Sequence, residues 1–183
     1  AQQGRERVMA LQPLVRSFLK LEKPLIAAVE GVAFGAGLGL ALTADFLVAG
    51  KGARFCCSFG RVGLVPDFGA AFTLPRTVGL RRAKELVLSA REFDAGQALQ
   101  WGVASEVSEK GGALQRAGEL AALLVRGSPQ AFGLAKRMLT ASLHSLGVTA
   151  TTRASGHVYT TTEEIDRFAD ALAGVRDFFG ATR

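Results

Sequence analysis

A glycine-rich turn between a buried strand and an apolar helix is the feature that most constrains this chain. The continuous apolar run at residues 25–29 is typical of a strand that is buried on both faces. Glycines then crowd the following turn at Gly31, Gly35, Gly37 and Gly39. Residues 38–44 predict a buried helix, and residues 46–49 predict a second apolar strand. This order of strand, helix and strand predicts an α/β fold with a parallel sheet.

The rest of the chain is mainly helical by its apolar spacing. Asp94 and Ser128 are predicted to cap helices at their amino ends. In the last part of the chain, Thr161 and Glu164 form a capping box, and an apolar stripe follows them. The predicted helices cover residues 4–21, 69–79, 80–90, 94–102, 112–126, 129–143 and 161–180, and the further predicted strands cover residues 104–107 and 148–153.

Composition limits the function classes. With 183 residues, 49% hydrophobic and 21% charged, the chain is expected to be a soluble globular domain, alone or with an appendage. The net charge of +6 is dispersed, without the basic stripe and interleaved aromatic residues typical of nucleic-acid binding. It predicts either mild attraction to an anionic ligand or only a solvated basic surface.

Location and redox state are predicted from short segments. The longest uncharged run, residues 31–44, is too short to span a bilayer, and no secretory signal pattern is evident at the start of the sequence. Cys56 and Cys57 are adjacent, which disfavours a disulfide between them, and no metal-binding pattern surrounds them. We therefore expect a cytoplasmic protein with reduced cysteines, no metal, no nucleic acid and no membrane partner.

The glycine turn has the features of a site that stabilises a negative oxygen. A helix start presents unpaired N–H groups and the positive end of the helix dipole, and a turn without side chains lets a ligand oxygen approach them. Ala36 lies where the turn enters the helix, so its N–H is the predicted donor to an oxyanion. Neither the dinucleotide fingerprint nor the phosphate-binding loop pattern is present. Close packing of a helix on a strand explains the glycines equally well.

Asp67 is a lone carboxylate in an apolar segment, between Pro66 and Phe68. An apolar pocket would raise the pKa of this carboxyl towards the range of a useful general base. Alternatively, Asp67 caps the helix predicted to begin near Gly69, which is the more common task for this residue type.

Three segments together resemble the crotonase superfamily, the enoyl-CoA hydratases and isomerases. They are KPLIAAVEGVAFGAGLGLALTADFLVAG, GLVPDFGAAFTLPRTVG and AxxWGVASEV, and the likeness covers about residues 5–143. The resemblance implies a spiral of ββα units whose members form trimers or hexamers. It also implies acyl-CoA as the substrate, no cofactor, and a thioester oxygen held between two backbone N–H groups as an enolate forms.

The resemblance assigns roles to particular residues. Ala36 falls where the family places its second oxyanion N–H, while Gly39 and Phe59 fall where hydratases carry two glutamates. Asp67 falls where epoxyphenylacetyl-CoA isomerases and chlorobenzoyl-CoA dehalogenases carry a working aspartate. The segment G-L-V-P-D-x-G most resembles the isomerases, so we expect an enoyl-CoA isomerase rather than a hydratase; a dehalogenase-type nucleophile stays open. The predicted substrate-binding residues are Phe34, Gly35, Gly37 and Gly69.

Two departures from the family pattern carry their own expectations. Family members have a further segment before the position of Ala1, which supplies the first oxyanion N–H and much of the CoA site, so we expect the amino-terminal part of the fold to be missing. Residues 147–180 resemble the end of cysteine desulfurases, in which the residue matching Arg153 grips a substrate carboxylate. The lysine-bearing core that would bind pyridoxal phosphate is absent.

The predicted organisation is therefore a partial crotonase-like domain at residues 1–143 and a carboxy-terminal strand and helix at residues 144–183, with a junction near residues 142–147. Two alternatives to an active isomerase remain open. One is a non-catalytic or truncated crotonase-like scaffold. The other is a desulfurase-related partner in sulfur transfer.

Overall fold

The structure of the protein, a computed structural model, describes residues 13–140. It has the predicted α/β class, with helices around two parallel or mixed sheets. The predicted tail strand at 148–153, the tail helix at 161–180 and the junction near 142–147 lie outside the described residues. The division into two domains therefore stays a prediction.

Six short strands form two three-stranded sheets among the described residues. The first sheet joins β1 (Ile26–Val29), β3 (Phe46–Gly50) and β6 (Glu106–Ser108), all parallel, in the order β1-β3-β6. The second joins β2 (Val32–Phe34), β4 (Arg54–Cys56) and β5 (Glu92–Asp94), with β2 parallel and β5 antiparallel to β4. The predicted parallel sheet is confirmed in the first of these.

The helices follow the predicted order. Residues 13–19 are helical and are called α1 here, and a short 3-10 helix covers Ser58–Val62. The remaining helices are α2 (Ala36–Ala41), α3 (Ala70–Val78), α4 (Leu80–Ser89), α5 (Ala95–Gln100), α6 (Ala113–Leu124) and α7 (Pro129–Thr140). Some predicted bounds were wrong: the second helix covers Ala36–Ala41 rather than residues 38–44, and β6 begins at Glu106 rather than at residue 104.

Two predicted caps are confirmed. Asp94 Oδ1 accepts a hydrogen bond from the backbone N–H of Gln97 at 2.8 Å, and the Gln97 side chain accepts one from the N–H of Asp94 at 3.3 Å, which completes a capping box on α5. Ser128 Oγ accepts from the N–H of Ala131 at 3.3 Å at the start of α7. Each cap satisfies helix N–H groups that would otherwise lack a partner.

Strand pairs followed by a helix give the ββα pattern that the resemblance implied. The chain runs β1, β2 and α2, and then β3, β4, the 3-10 helix and α3. The two strands of the first pair belong to different sheets, since β1 joins β3 while β2 joins β4. This arrangement places the glycine turn at the end of β2, where the chain enters α2.

The core lies between the second sheet and the helices around it. Leu38, Phe55, Leu74 and Leu86 are fully buried. Phe55 and Phe93 face each other across β4 and β5 and stack with ring centroids 5.3 Å apart. Burial of these large apolar side chains is the main force that holds α2, α3 and α4 against the strands.

Both cysteines are free thiols buried in this core, as the sequence predicted. Burial, with a smaller contribution from the neighbouring Cys56, raises the pKa of the Cys57 thiol to about 11, and burial also raises the pKa of the Cys56 thiol. Neither thiol therefore has the low pKa that a reactive cysteine needs.

Candidate active site

The glycine turn forms the amino end of α2 as predicted. Gly35 is the N-cap residue with φ +50° and ψ −117°, a conformation that side chains disfavour, and no side chain caps the helix. Its N–H donates to the carbonyl oxygen of Cys56 at 2.9 Å, which ties the turn to the end of β4. A residue with positive φ is thus needed at position 35 to carry the chain from β2 into α2.

The first N–H groups of α2 are available to a ligand. The first hydrogen bond of this helix runs from the N–H of Gly39 to the carbonyl oxygen of Gly35 at 3.0 Å. Within residues 13–140, the N–H groups of Ala36, Gly37 and Leu38 have no hydrogen-bond acceptor. Ala36 is half-buried and Gly37 is exposed. The predicted oxyanion donor therefore lies at an open helix start without a partner.

Asp67 has a buried and unpaired carboxylate oxygen. Its Oδ1 is shielded from solvent and makes no hydrogen bond with any atom of the described residues. Burial raises the pKa of the Asp67 carboxyl above its usual range, and a hydrogen bond to its own backbone opposes this rise. A carboxylate with one desolvated and unpaired oxygen is a stronger proton acceptor than one in water.

The interpretation of Asp67 as a helix cap is wrong. The N-cap of α3 is Gly69, two residues later, and no side chain makes a capping hydrogen bond there. The backbone carbonyl of Asp67 instead accepts from the N–H of Ala70 at 2.8 Å. Phe68 and Gly69 both have positive φ, +47° and +81°, so the chain turns between Asp67 and the helix. The carboxylate is consequently free of a structural task at the start of α3.

The structure brings Asp67 and the glycine turn together through Gly39. An ideal Cβ on Gly39 would lie 3.1 Å from the carbonyl oxygen of Asp67 and 2.9 Å from the Cβ of Phe68. Gly39 follows Ala36 by three residues, which is about 4.5 Å along the helix axis. The backbone of Asp67 therefore rests on the first turn of α2, close to the unpaired N–H groups.

The two positions at which hydratases carry glutamates lack a proton-transfer group here. Gly39 has no side chain, and Phe59 is buried, with only 5% of its surface exposed. The ring of Phe59 lies beneath the turn, with its nearest atoms 4.0 Å from an ideal Cβ on Gly35. Ser58 Oγ lies 3.2 Å from the same position, and no local sequence pattern predicts this polar neighbour of the turn.

The other predicted substrate-binding residues lie around the same turn. Phe34 is half-buried at the end of β2, where it pairs with Cys56 of β4. Gly69 is half-buried in the Asp67 loop, and an ideal Cβ there would lie 3.1 Å from Cγ1 of Val15 in α1. Gly69 therefore packs against α1, and its contact with substrate stays a prediction.

An apolar groove of about 460 Å³ begins next to the Asp67 loop and runs between α3 and α4. Pro66, the residue before Asp67, lies at one end of it. Leu80 and Leu88 on its α4 side are 62% and 83% exposed. The groove lining also includes Ala70, Ala71, Leu74, Pro75, Ala83, Lys84 and Val87.

The described part of the chain has neither a cluster of potential metal ligands nor a helix that could span a membrane. Residues 13–140 contain no group of three or more histidine, cysteine, aspartate or glutamate side chains placed to hold a metal ion. None of the helices in this range combines the length and the apolar character that crossing a membrane requires.

With this fold and this turn established, comparisons with known proteins identify the family. The model of the enoyl-CoA hydratase/isomerase family matches residues 2–178. The chain therefore belongs to the enoyl-CoA hydratase/isomerase family, which confirms the resemblance to the crotonases. The match extends beyond residue 143, and the likeness of the tail to cysteine desulfurases stays a prediction.

Solved structures with this fold include an enoyl-CoA hydratase/isomerase from Cupriavidus metallidurans CH34. It is 38% identical to this chain, with a TM-score of 0.75 over 100% of this chain and 62% of its own. An enoyl-CoA hydratase from Bacillus anthracis is 30% identical, with a TM-score of 0.74 over 79% of this chain and 58% of its own. These neighbours confirm the crotonase fold.

Curated relatives differ in the reaction that their names give. A 1,2-epoxyphenylacetyl-CoA isomerase from Escherichia coli (strain K12) is 39% identical over 71% of this chain and 50% of its own length. A carnitinyl-CoA dehydratase from Salmonella heidelberg (strain SL476) is also 39% identical, over 67% of this chain and 47% of its own length. The chain thus spans about half the length of the curated relatives it matches, and isomerases and dehydratases resemble it equally well.

Proposed function

We propose that this chain is the catalytic part of an acyl-CoA enzyme that isomerises an enoyl thioester through an enolate. In this proposal the Ala36 N–H donates to the thioester oxygen, and Asp67 moves the proton. The observation that carries it is the buried, unpaired Oδ1 of Asp67 in a loop that rests on the first turn of α2. Membership of the enoyl-CoA hydratase/isomerase family supports the substrate class.

The proposed reaction shifts a double bond and needs one base. The Asp67 carboxylate takes a proton from C2 of a 3-enoyl thioester, and the electron pair of that C–H bond moves into a dienolate. The protonated Asp67 then returns the proton to C4, which gives the conjugated 2-enoyl thioester. No water, redox partner or cofactor is consumed. One oxyanion N–H lowers the barrier by about 3 kcal/mol, and the Ala36 amide is available for this purpose.

An isomerase accounts for the site better than a hydratase does. Water addition in this family uses two glutamates, whereas the matching positions here are Gly39 and Phe59. Phe59 is buried beneath the turn, so neither position offers a carboxylate to activate water. The likeness to a carnitinyl-CoA dehydratase makes water elimination the competing reaction to test.

The test supplies a 3-enoyl-CoA to the full-length protein and follows the absorbance of the conjugated product. Asp67→Asn keeps the shape of the side chain but cannot accept a proton, so we expect kcat to fall about 10²- to 10⁴-fold. Glu109→Gln is the matched control, because this carboxylate is 88% exposed and only borders Lys51. Unchanged turnover by Asp67→Asn would show that Asp67 is not the base.

A scaffold without catalytic activity is the second candidate, and an exposed apolar surface favours it. Val62, Leu64 and Val65 precede Asp67 and are 70%, 59% and 79% exposed, and the groove between α3 and α4 adjoins them. Such a surface is typical of protein contacts, and we propose that it supports a homotrimer or hexamer. A scaffold would bind no CoA thioester in equilibrium dialysis, whereas the isomerase would.

A further inference from the structure

We propose that Gly39 is a positioning residue for Asp67, because the absence of a side chain at residue 39 lets the Asp67–Phe68 backbone lie directly on α2. This inference rests on the proposed function and adds to it a residue that touches neither the reacting atoms nor the thioester. It also explains in physical terms why residue 39 is a glycine: the loop that carries Asp67 can take its position only if residue 39 has no side chain.

The contact between the loop and α2 leaves no room for a Cβ. A Cβ on Gly39 would lie 2.9 Å from the Cβ of Phe68, 3.0 Å from its carbonyl oxygen and 3.1 Å from the carbonyl oxygen of Asp67. Two of these three atoms are backbone atoms, which cannot move aside as the end of a long side chain can. Any side chain at residue 39 must therefore displace the loop that carries Asp67.

The loop has a conformation that a side chain disfavours, and neighbouring elements contact it. Phe68 adopts φ +47°, which is unusual for a residue with a Cβ. Such a conformation persists when the surrounding structure fixes it. Here α2 contacts the loop at Gly39, and Val15 of α1 contacts it at Gly69. Gly39 is thus one of the supports that keep Asp67 in place.

In this proposal the same contact helps to shield Oδ1 of Asp67 from water. The helices next to the loop carry few charges: α2 has no ionisable side chain, residues 13–19 of α1 have only Arg16, and α3 has only Arg76. No charged side chain contributes to the pKa shift of Asp67. Burial is the cause that raises this pKa. A displaced loop would expose the carboxylate, and its pKa would return towards the ordinary value for an aspartate.

Gly39→Ala is the variant that tests this role, and Gly118→Ala is its matched control. Both glycines lie within helices, but a Cβ on Gly118 would meet no atom within 4 Å. Shifts of a fraction of an ångström in a catalytic group reduce rates strongly, so we expect Gly39→Ala to lower kcat about tenfold. We expect Gly118→Ala to leave kcat unchanged and to raise the thermal stability slightly.

Two pH readouts separate positioning from a merely structural effect. The acid limb of kcat/KM reports the pKa of the base in the free enzyme and should move to lower pH in Gly39→Ala. A carboxyl-carbon NMR titration of Asp67, assigned by the signal that Asp67→Asn removes, should show the same fall without any need for turnover. Lower kcat with an unmoved pKa, or no change in either quantity, would overturn the proposal.

The two proposals fail in different ways. If the wild type shows no isomerisation while the Asp67 signal of Gly39→Ala still titrates at lower pH, the proposed reaction is wrong and the positioning role stands. If Gly39→Ala does not fold, the double variant Gly39→Ala/Phe68→Gly carries the test, since it removes the contact of the new Cβ with the Cβ of Phe68 and keeps its contacts with the two backbone carbonyl oxygens. An Asp67 pKa that stays raised in this double variant would then overturn the positioning role.

Discussion

Replacing Asp67 by asparagine should make the protein inactive and at the same time more stable. The wild-type carboxylate is buried without a partner on Oδ1, and burial raises its pKa. A folded-state pKa above the unfolded-state value means that the folded protein binds this proton more readily than the unfolded chain does. The free energy of unfolding of the wild type therefore falls as the pH rises from the unfolded-state pKa of Asp67 through its folded-state pKa. Asparagine does not titrate, so Asp67→Asn does not show this fall.

The size of the effect follows from the cost of a buried polar group without a partner. That cost is about 1–3 kcal/mol, and the amide of asparagine retains a part of it. Asp67 is also only half-buried, so solvent screens its charge and lowers the difference. We therefore expect a gain of about 1 kcal/mol at neutral pH, which corresponds to a rise in Tm of about 2–4 °C for a chain of this size.

The assay is thermal unfolding of both proteins across a range of pH, next to the turnover assay. The difference in Tm should be close to zero well below the pKa of an unfolded aspartate, where both side chains are neutral. It should grow as the pH rises through the raised folded-state pKa of Asp67. A variant that is less stable than the wild type at neutral pH, or a difference that is independent of pH, would refute a desolvated carboxylate at this position.

Three further changes test the packing around the site. Gly50→Ala should destabilise the fold by about 1 kcal/mol in urea unfolding, because its Cβ would push the exposed Glu30 carboxylate away from the amide that it accepts from at the start of α6; equal stability would contradict this contact. Phe55→Ala should cost about 3–5 kcal/mol in the same assay, since its fully buried ring stacks across β4 and β5; a loss below 1 kcal/mol would contradict it. The double variant Gly39→Glu/Phe59→Glu should not hydrate 2-enoyl-CoA in an absorbance assay, because the first glutamate displaces the Asp67 loop and the second is buried. Measurable hydration would contradict this packing.

Much of the helical framework could be predicted from local sequence. Apolar spacing located α3, α4 and α6 to within about two residues, and the caps at Asp94 and Ser128 were readable from residue type alone. The parallel pair β1 and β3 was also readable, because continuous apolar runs are typical of strands buried on both faces.

Three strands gave no readable signal. β2, β4 and β5 have three residues each, which is too short to show a period of two. Arg54 and Glu92 pair with each other across β4 and β5, and such charged residues make the segments look like loops. These strands form because the second sheet buries Phe55 and Phe93, and that is a contact between segments distant in the sequence.

The residues of the candidate site could be chosen from the sequence, but the geometry that joins them could not. The sequence placed the unpaired N–H groups at Ala36 and left two roles open for Asp67. Only the fold excludes the helix cap, because the positive φ of Phe68 and Gly69 moves the start of α3 away from Asp67; its role as a base stays a prediction. The contact between Gly39 and the Asp67 loop joins segments that are 28 residues apart, and no local pattern encodes it.

The most direct test of the account is whether the protein removes a proton from C2 of an acyl thioester. The full-length protein would be incubated with a 3-enoyl-CoA that carries two deuterons at C2, and the loss of deuterium from C2 would be followed by proton NMR. We predict that the wild type removes one of these deuterons, whether it moves to C4 or exchanges with solvent, and that Asp67→Asn removes it only at the buffer rate. Equal loss with both proteins, or no loss with the wild type, would contradict an enolate formed by Asp67 at the α2 turn.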